Sequence, residues 1–281
     1  MSGILRSAFA GQWDMLRSSG FDLPQTPQTF QSSSRTSSGK SALSIQLEIE
    51  SKYRIDDEYR LKAIKEGLQK VGRIAFIAGQ ETVNATIGGW ELRVSEDTYM
   101  IDDAAALGSA QLTYRVRREE GRDTIITCKL PPIQLTTNGV HARLELEVLE
   151  PDDGELTTMN FFREANGALT NLIAKHIGDN VASLNPRLRI RTERQKFSVV
   201  KLDDPTNAIA EISADHVHCK ALGSERLKEF FELEVEAEAS QSLEEKIEVA
   251  SGIGGFIRER WDLAIEPANK FTRATYMLTG Q

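Results

Sequence analysis

Short segments of this chain alternate charged and apolar residues with a period of two, and they do so again and again. In Ile45-Gln46-Leu47-Glu48-Ile49-Glu50-Ser51-Lys52, the apolar residues Ile45, Leu47 and Ile49 hold one parity, while Glu48, Glu50 and Lys52 hold the other. A strand sends successive side chains to opposite faces, so such a segment has one greasy face and one ionic face. Taken alone it reads as an ordinary strand with one side in solvent. The pattern recurs, however, in Tyr114-Arg115-Val116-Arg117, Arg143-Leu144-Glu145-Leu146-Glu147-Val148 and Glu232-Leu233-Glu234-Val235-Glu236. Thr124-Ile125-Ile126-Thr127-Cys128-Lys129 adds a lysine to a β-branched run. Many strands that together carry ions of both signs on one face suit a closed sheet. If the ionic faces point inward, the interior is a charged tunnel and the apolar faces pack under helices.

The order of these segments resembles the CYTH domain, the triphosphate tunnel metalloenzymes. Glu48-x-Glu50-x-Lys52 is similar to that family's opening signature. Arg115-x-Arg117, Lys129, Arg143-x-Glu145-x-Glu147, Arg194, Glu211 with Asp215, Glu232-x-Glu234 and Lys270 follow in the family's order. Asp97-x-Tyr99 resembles the family's second strand. The resemblance runs from about residue 43 to the C-terminus and implies an α+β fold. That fold is an antiparallel barrel of about eight strands, open at both ends, with helices packed outside. It also implies metal-dependent cleavage of the terminal phosphoanhydride of a triphosphate, with inorganic tripolyphosphate first among substrates. Thiamine triphosphate hydrolysis, class IV type adenylate cyclisation and RNA 5′-triphosphate hydrolysis use the same kind of tunnel. A noncatalytic polyphosphate- or nucleotide-binding module is the alternative of another class, and the two Glu-x-Glu pairs count against it. The His-Phe element associated with the cyclase members is not seen.

Charge type and the resemblance together imply a division of labour. Glu48, Glu50, Glu232 and Glu234, with Glu147 and Glu211, would hold Mg²⁺ or Mn²⁺, hard cations that take carboxylate oxygens. Lys52, Arg115, Arg117, Arg143 and Arg194, with Lys270 and Arg273, would grip the triphosphate, since guanidinium groups bind phosphate oxygens in pairs. Asp215 and Glu145 would hold a second metal or the attacking water, and Lys129 would position or deprotonate that water. Arg189 and Arg191 compete with Arg194 but have the opposite parity on the same strand. His216-x-His218 has the spacing of metal ligands on one strand face, but both lie opposite in parity to Asp215, so they read as outward-facing surface residues. Tyr99 reads as packing, and Cys128 as a small apolar side chain pointing away from Lys129. Asn269 stands before Lys270 where the family often has Ser.

Length, charge and cysteine count set the remaining limits. At 281 residues the chain could form one large or two small domains, the resemblance implies one, and 40% hydrophobic content suffices for a real core. The formal net charge of −8 opposes broad nucleic-acid binding. It leaves open a local cationic site for a small-molecule triphosphate. Cys128 and Cys219 are far apart and form no metal-type pair. A reducing cytoplasm is the simplest setting, with a single disulfide as the alternative. No apolar run is long enough to cross a membrane as a helix. The chain is expected to be a monomer or homodimer.

Residues 1–42 read as a mostly disordered Ser-rich tail, with residues 43–281 as the tunnel domain. Ile4, Leu5, Phe9, Trp13, Met15 and Leu16 suit a short docking helix, and an organelle transit peptide is a second reading of the tail. Ser38-Gly39-Lys40-Ser41 imitates the end of a phosphate-binding loop, but Ser34 stands where that loop needs Gly, and no strand precedes it. Helical periodicity predicts helices over 57–71, from Leu156 to Ile177, and over 242–261. Gly252, Gly254 and Gly255 weaken the last of these. Strands are predicted around 90–101, 110–118, 123–130, 141–149, 188–200, 208–219 and 228–238, with a hairpin turn at Glu120-Gly121-Arg122. Pro151-Asp152-Asp153-Gly154 would close the strand at 141–149.

Overall fold

The structure, a computed structural model, describes residues 10–12, 14, 16–18, 43–104, 106–135, 139–150, 167–238 and 242–280. Most of the N-terminal segment and the turn and helix start expected over 151–166 lie outside the described residues. Residues 10–12, 14 and 16–18 are helical, and Leu16 is fully buried against the domain.

In chain order the elements begin with β1 (Leu43–Ile55), α1 (Glu58–Leu68), β2 (Ile74–Ala78), β3 (Glu81–Ile101), α2 (Ala106–Ser109), β4 (Thr113–Glu119) and β5 (Thr124–Lys129). They continue with β6 (Ile133–Gln134), β7 (Val140–Glu150), α3 (Gly167–Ile177), a 3-10 turn (Gly178–Ser183), β8 (Asn185–Lys201), β9 (Ala208–Ala221) and β10 (Leu227–Ala237). The chain ends with α4 (Leu243–Trp261), β11 (Ala264–Ile265) and α5 (Lys270–Thr279).

Eight antiparallel strands close into a ring, in the order β1-β10-β9-β8-β3-β4-β5-β7 and back to β1. Closure depends on the length of β1. Its first part pairs with β7, from Leu43 opposite Val148 to Ser51 opposite Val140. Its second part pairs with β10, from Glu50 opposite Glu236 to Ile55 opposite Phe231. The hairpin between β4 and β5 turns through Gly121, whose φ of +71° suits a residue without a Cβ.

Away from one end of the ring, the apolar parity of the strands lies outside it. Ile49, Tyr53, Ile212, Ala214, Leu233 and Val235 form one buried cluster with Leu61, Ile64 and Leu68 of α1 and Ala250, Ile253 and Ile257 of α4. Leu172, Ile173 and Ile177 of α3 cover Ile126, Cys128, Leu144 and Leu146, and Leu16 joins this second cluster. Cys128 is thus core, and burial pushes its thiol up to about 12. Both cysteines are free thiols.

The glycines that weaken α4 by propensity have a packing reason. A Cβ on Gly252 would collide with the Phe76 ring and meet Phe76 Cβ at 2.7 Å; one on Gly254 would meet Ser51 Oγ at 2.5 Å and Tyr53 Oη more closely still. These positions let α4 lie directly on β1 and β2. Gly252→Ala is therefore expected to destabilise the fold. The overpacking cost, about 1–3 kcal/mol, outweighs a helix-propensity gain of about 1 kcal/mol. Chemical denaturation should show a lower midpoint with unchanged m-value; a rise in the midpoint would contradict the packing account.

The barrel is not open at both ends. The helix α5, absent from the periodicity reading, fills one mouth. Its Ala274 is buried with Tyr99, Leu188, Ile190, Val217, Cys219 and Phe230, and Phe271 packs against them. These strand residues share parity with Asp97, Arg194, Asp215 and Glu232, so the plug sits on the inner face. Burial pushes the Cys219 thiol up to about 11. Asn269 caps α5, its side chain accepting from Thr272 N at 2.9 Å, which is the role a serine would play there.

Candidate active site

The inner faces of the eight strands bring buried charges together as two linked networks. In the first, Arg143 donates through Nε to Glu48 at 2.5 Å and through Nη2 to Glu50 at 3.0 Å. Lys129 reaches Glu48 at 3.3 Å and also contacts Glu145. Burial disfavours a charged Glu48, but Arg143 and Lys129 outweigh it and hold this carboxyl well below its usual range. Glu145 goes the other way. Burial and the neighbouring Glu48 charge push it up to about 7, while burial and Arg143 pull Lys129 down. Both partners of that contact are drawn towards neutrality, the condition for passing a proton between them.

In the second network Lys52 bridges Glu50 at 3.1 Å and Glu234 at 3.0 Å, joining the two. Arg194 grips Asp215 with both arms, at 2.7 and 2.6 Å, and also reaches Glu234. Lys270, at the start of α5, lies 2.5 Å from Glu232, 2.7 Å from Glu234 and 3.0 Å from Asp215. Asp215, Glu232 and Glu234 can converge on one metal ion by distance. The Lys270 ammonium, however, already stands where that cation would be. Burial, first, raises Glu232, while Lys270, Lys52 and Arg194 hold Glu234 well below its usual range against burial.

The predicted acidic set is therefore split. Glu232 lies two residues deeper than Glu234, at the plugged end, with Arg273 at 3.6 Å. Arg273 also lies over the Phe230 ring and donates to Phe231 O, so it is part of the plug. Glu147 is inward but is held by neutral donors, Gln46 at 3.1 Å and Thr127 at 3.4 Å. Glu211 pairs with Lys196 at 2.7 Å and accepts from Ser213. Arg189 and Arg191 point outward to Glu96 and Glu193, which leaves Arg194 inside.

Among the inner residues not assigned from sequence, two acids stand out. Glu236 stands opposite Glu50. Burial and the surrounding Glu48, Glu145, Glu50 and Glu211 charges push its carboxyl well above the usual range. The third acid of Glu232-x-Glu234-x-Glu236 was visible in the alternation, but the pair motif stops one position short of it. Four acids surround Glu236, and carboxylate oxygens are the donors a hard divalent cation takes, though among the described residues only Asp215, Glu232 and Glu234 bring three inner ligand atoms within 4.8 Å of one another. The other residue is Asp97, fully buried on β3. It takes Arg117 at 2.7 and 2.9 Å and Arg115 at 3.2 Å. Burial opposes its ionisation, but Arg117 and Arg115 hold it far below the usual carboxylate range. Arg115 Nε remains buried with no hydrogen-bond partner, a donor left over for an anion.

A closed antiparallel ring of eight strands, plugged at one end and lined with paired cations and carboxylates, defines a polyanion tunnel. The CYTH domain family matches residues 46–274, and this chain belongs to that family. No curated protein matches the sequence. Among solved structures, a candidate adenylate cyclase from Bacillus halodurans is 18% identical, with a TM-score of 0.53 over 82% of this chain and 97% of the other. A candidate adenylyl cyclase from Hippeastrum, described as revealing a dominant triphosphatase activity, is 15% identical, with a TM-score of 0.54 over 83% and 96%. At these identities the likeness is one of fold.

Proposed function

We propose that this chain is a metal-dependent triphosphatase that cleaves the terminal phosphoanhydride of inorganic tripolyphosphate. The observation that carries this reading is that one ring encloses both a carboxylate group around Glu236 and the cations Lys52, Arg115, Arg117, Arg143 and Arg194 on β1, β4, β7 and β8. A polyphosphate and a divalent ion complement the two parts. At the plugged end the inner aromatic rings are already engaged. Tyr99 stacks on Phe271 at 5.3 Å and Phe230 lies under Arg273 at 4.3 Å, so neither is offered to a base.

Glu48, Glu50, Glu211 and Glu236, with Glu234 beside them, would hold Mg²⁺ or Mn²⁺. Such an ion, when bound, neutralises phosphate charge and makes water more acidic. The protein's own groups do the rest. Arg115 and Arg117 exchange the Asp97 carboxylate for phosphate oxygens, and Arg194 and Lys52 orient the chain along the wall. Water oxygen adds to the terminal phosphorus as the bond to the diphosphate leaving group breaks. The released proton passes to the Lys129–Glu145 pair, in which burial and the Glu48 charge push Glu145 up to about 7 while burial and Arg143 pull Lys129 down.

A phosphate-release screen over tripolyphosphate, ATP, thiamine triphosphate and pyrophosphate with Mg²⁺ and Mn²⁺, with cyclic AMP assayed alongside, tests this. Tripolyphosphate is expected to turn over fastest. Cyclic AMP from ATP would make the chain a cyclase, and binding without phosphate release would make it a binding module. In the same assay Arg117→Ala is expected to raise KM. The loss should sit at the low end for a charged contact, about 2 kcal/mol or roughly 30-fold, because Arg117 is partly open to solvent. An unchanged KM would remove Arg117 from the clamp.

A further inference from the structure

The outer face of the ring carries a second cluster that the tunnel does not use. Alternation puts His216 and His218 on the side of β9 opposite Asp215. The ladder to β10 sets Glu229 across from His218, and the ladder to β8 sets Glu193 across from His216. His216 Nε2 is 2.9 Å from Glu229 Oε2, and His218 Nδ1 is 3.8 Å from the same oxygen. The imidazole rings lie 4.1 Å apart, centroid to centroid. One ligand atom from each of His216, His218 and Glu229 falls within 4.8 Å of the others. Ligand atoms around a tetrahedral Zn²⁺ lie roughly 3.3 Å apart, given bonds of about 2.0–2.1 Å, so closing on an ion needs only side-chain adjustment.

The surroundings favour that adjustment. Among the described residues, the ion-pair partners of Glu229 are these two imidazoles. Arg191, which faces His218 across the ladder, is engaged with Glu193, and Lys65 of α1 lies within electrostatic reach of the same Glu193 carboxylate. The far nitrogen of His218, Nε2, looks towards Glu193 Oε1 at 4.0 Å. A metal-ligating histidine commonly gives its other N–H to a carboxylate, which fixes its tautomer.

We propose that His216, His218 and Glu229 form a Zn²⁺ site on the outside of the barrel, with Glu193 as the carboxylate that orients His218. Two imidazoles and one carboxylate suit a borderline ion such as Zn²⁺, whereas the all-oxygen tunnel suits Mg²⁺ or Mn²⁺. Three protein ligands leave one coordination position towards solvent. The ion would tie β9 to β10 on the outer face, opposite in parity to the inward Asp215 and Glu232.

Isothermal titration of the full chain with Zn²⁺, in saturating Mg²⁺ to occupy the tunnel carboxylates, tests the site. The wild type and Glu50→Gln are expected to bind one Zn²⁺. His218→Gln and Glu229→Gln should bind it at least about tenfold more weakly, since losing a ligand should cost no less than losing a ligand's support. Zn²⁺ should also raise the wild-type Tm and leave that of Glu229→Gln unmoved. Unchanged Zn²⁺ affinity in both outer-face variants, or its loss in Glu50→Gln alone, would overturn the proposal. Should either outer-face variant fold poorly, the imidazole NMR signals of the wild type decide: His216 and His218 must shift together on adding Zn²⁺, and their failure to move would equally overturn it.

Discussion

Glu50→Gln is expected to remove most turnover while leaving the fold intact. Glutamine keeps the length and hydrogen-bonding capacity of Glu50 but takes one charge from the acid group around Glu236. The loss in kcat should be roughly 100-fold or more, at least the scale on which metal sites respond to losing a supporting partner. Excess Mn²⁺ should recover a small part of it. The melt should barely move, because each cation that Glu50 serves has a second acid. Arg143 keeps Glu48 at 2.5 Å, and Lys52 keeps Glu234 at 3.0 Å. Relief of repulsion with Glu236 offsets part of what is broken. Glu236→Gln is expected to share the phenotype. Activity measured beside a thermal melt is the informative pair: full metal-dependent turnover in Glu50→Gln with an unchanged melt would mean that the inner face of β1 holds no metal.

The ring was legible in the sequence because its two faces have opposite chemistry. A period of two in Glu48, Glu50 and Lys52 announces a strand, and a one-residue slip would bury every charge under α1 and α4. The same parity separates Arg194 from Arg191, and His216 from Asp215, without any structure. Periodicity failed where an element has no clean period. The helix α5 is ten residues long, with Lys270 and Arg273 among its buried or half-buried positions, so it lacks a continuous apolar stripe. Its burial is decided by the barrel mouth and not by its own pattern. The strand β2 and the first turn of β3 escaped for a related reason: Ile77 is exposed and Gly88-Gly89 interrupts the alternation.

The site was legible as an inventory but not as a map. Register decides which acid faces which base, and register belongs to pairs of strands. Glu48, Glu50, Glu232 and Glu234 look like one metal set along the chain. The ladder of β1 against β10 instead sets Glu234 beside Lys52 and Glu236 beside Glu50. Lys270 then arrives from a separate helix and fills the space between Glu232, Glu234 and Asp215. An ammonium placed there by tertiary structure cannot be inferred from any spacing.

The largest effect on stability is expected at Asp97. This carboxylate is fully buried and, among the described residues, is the one acid within ion-pair distance of Arg115 and Arg117. Asp97→Asn leaves the buried Arg115 and the partly buried Arg117 facing an amide, and breaking a buried pair from one side costs about 3–5 kcal/mol. For a domain of this size that corresponds to a fall in Tm of roughly 10 °C. The pH dependence follows from the direction of its shift. The folded-state carboxyl is held below its unfolded value, so its contribution is fully present above about pH 4 and is lost as the pH falls through the folded value. The Tm gap between wild type and Asp97→Asn should therefore be flat from neutral pH down to about 5 and narrow in stronger acid. Tripolyphosphate offers a second readout, because its oxygens can replace the missing carboxylate. The polyanion should stabilise Asp97→Asn more than the wild type and so close part of the gap at neutral pH. A gap that ignores both acid and tripolyphosphate would mean that Asp97 supports β3 by packing alone and that Arg115 and Arg117 are not waiting for phosphate.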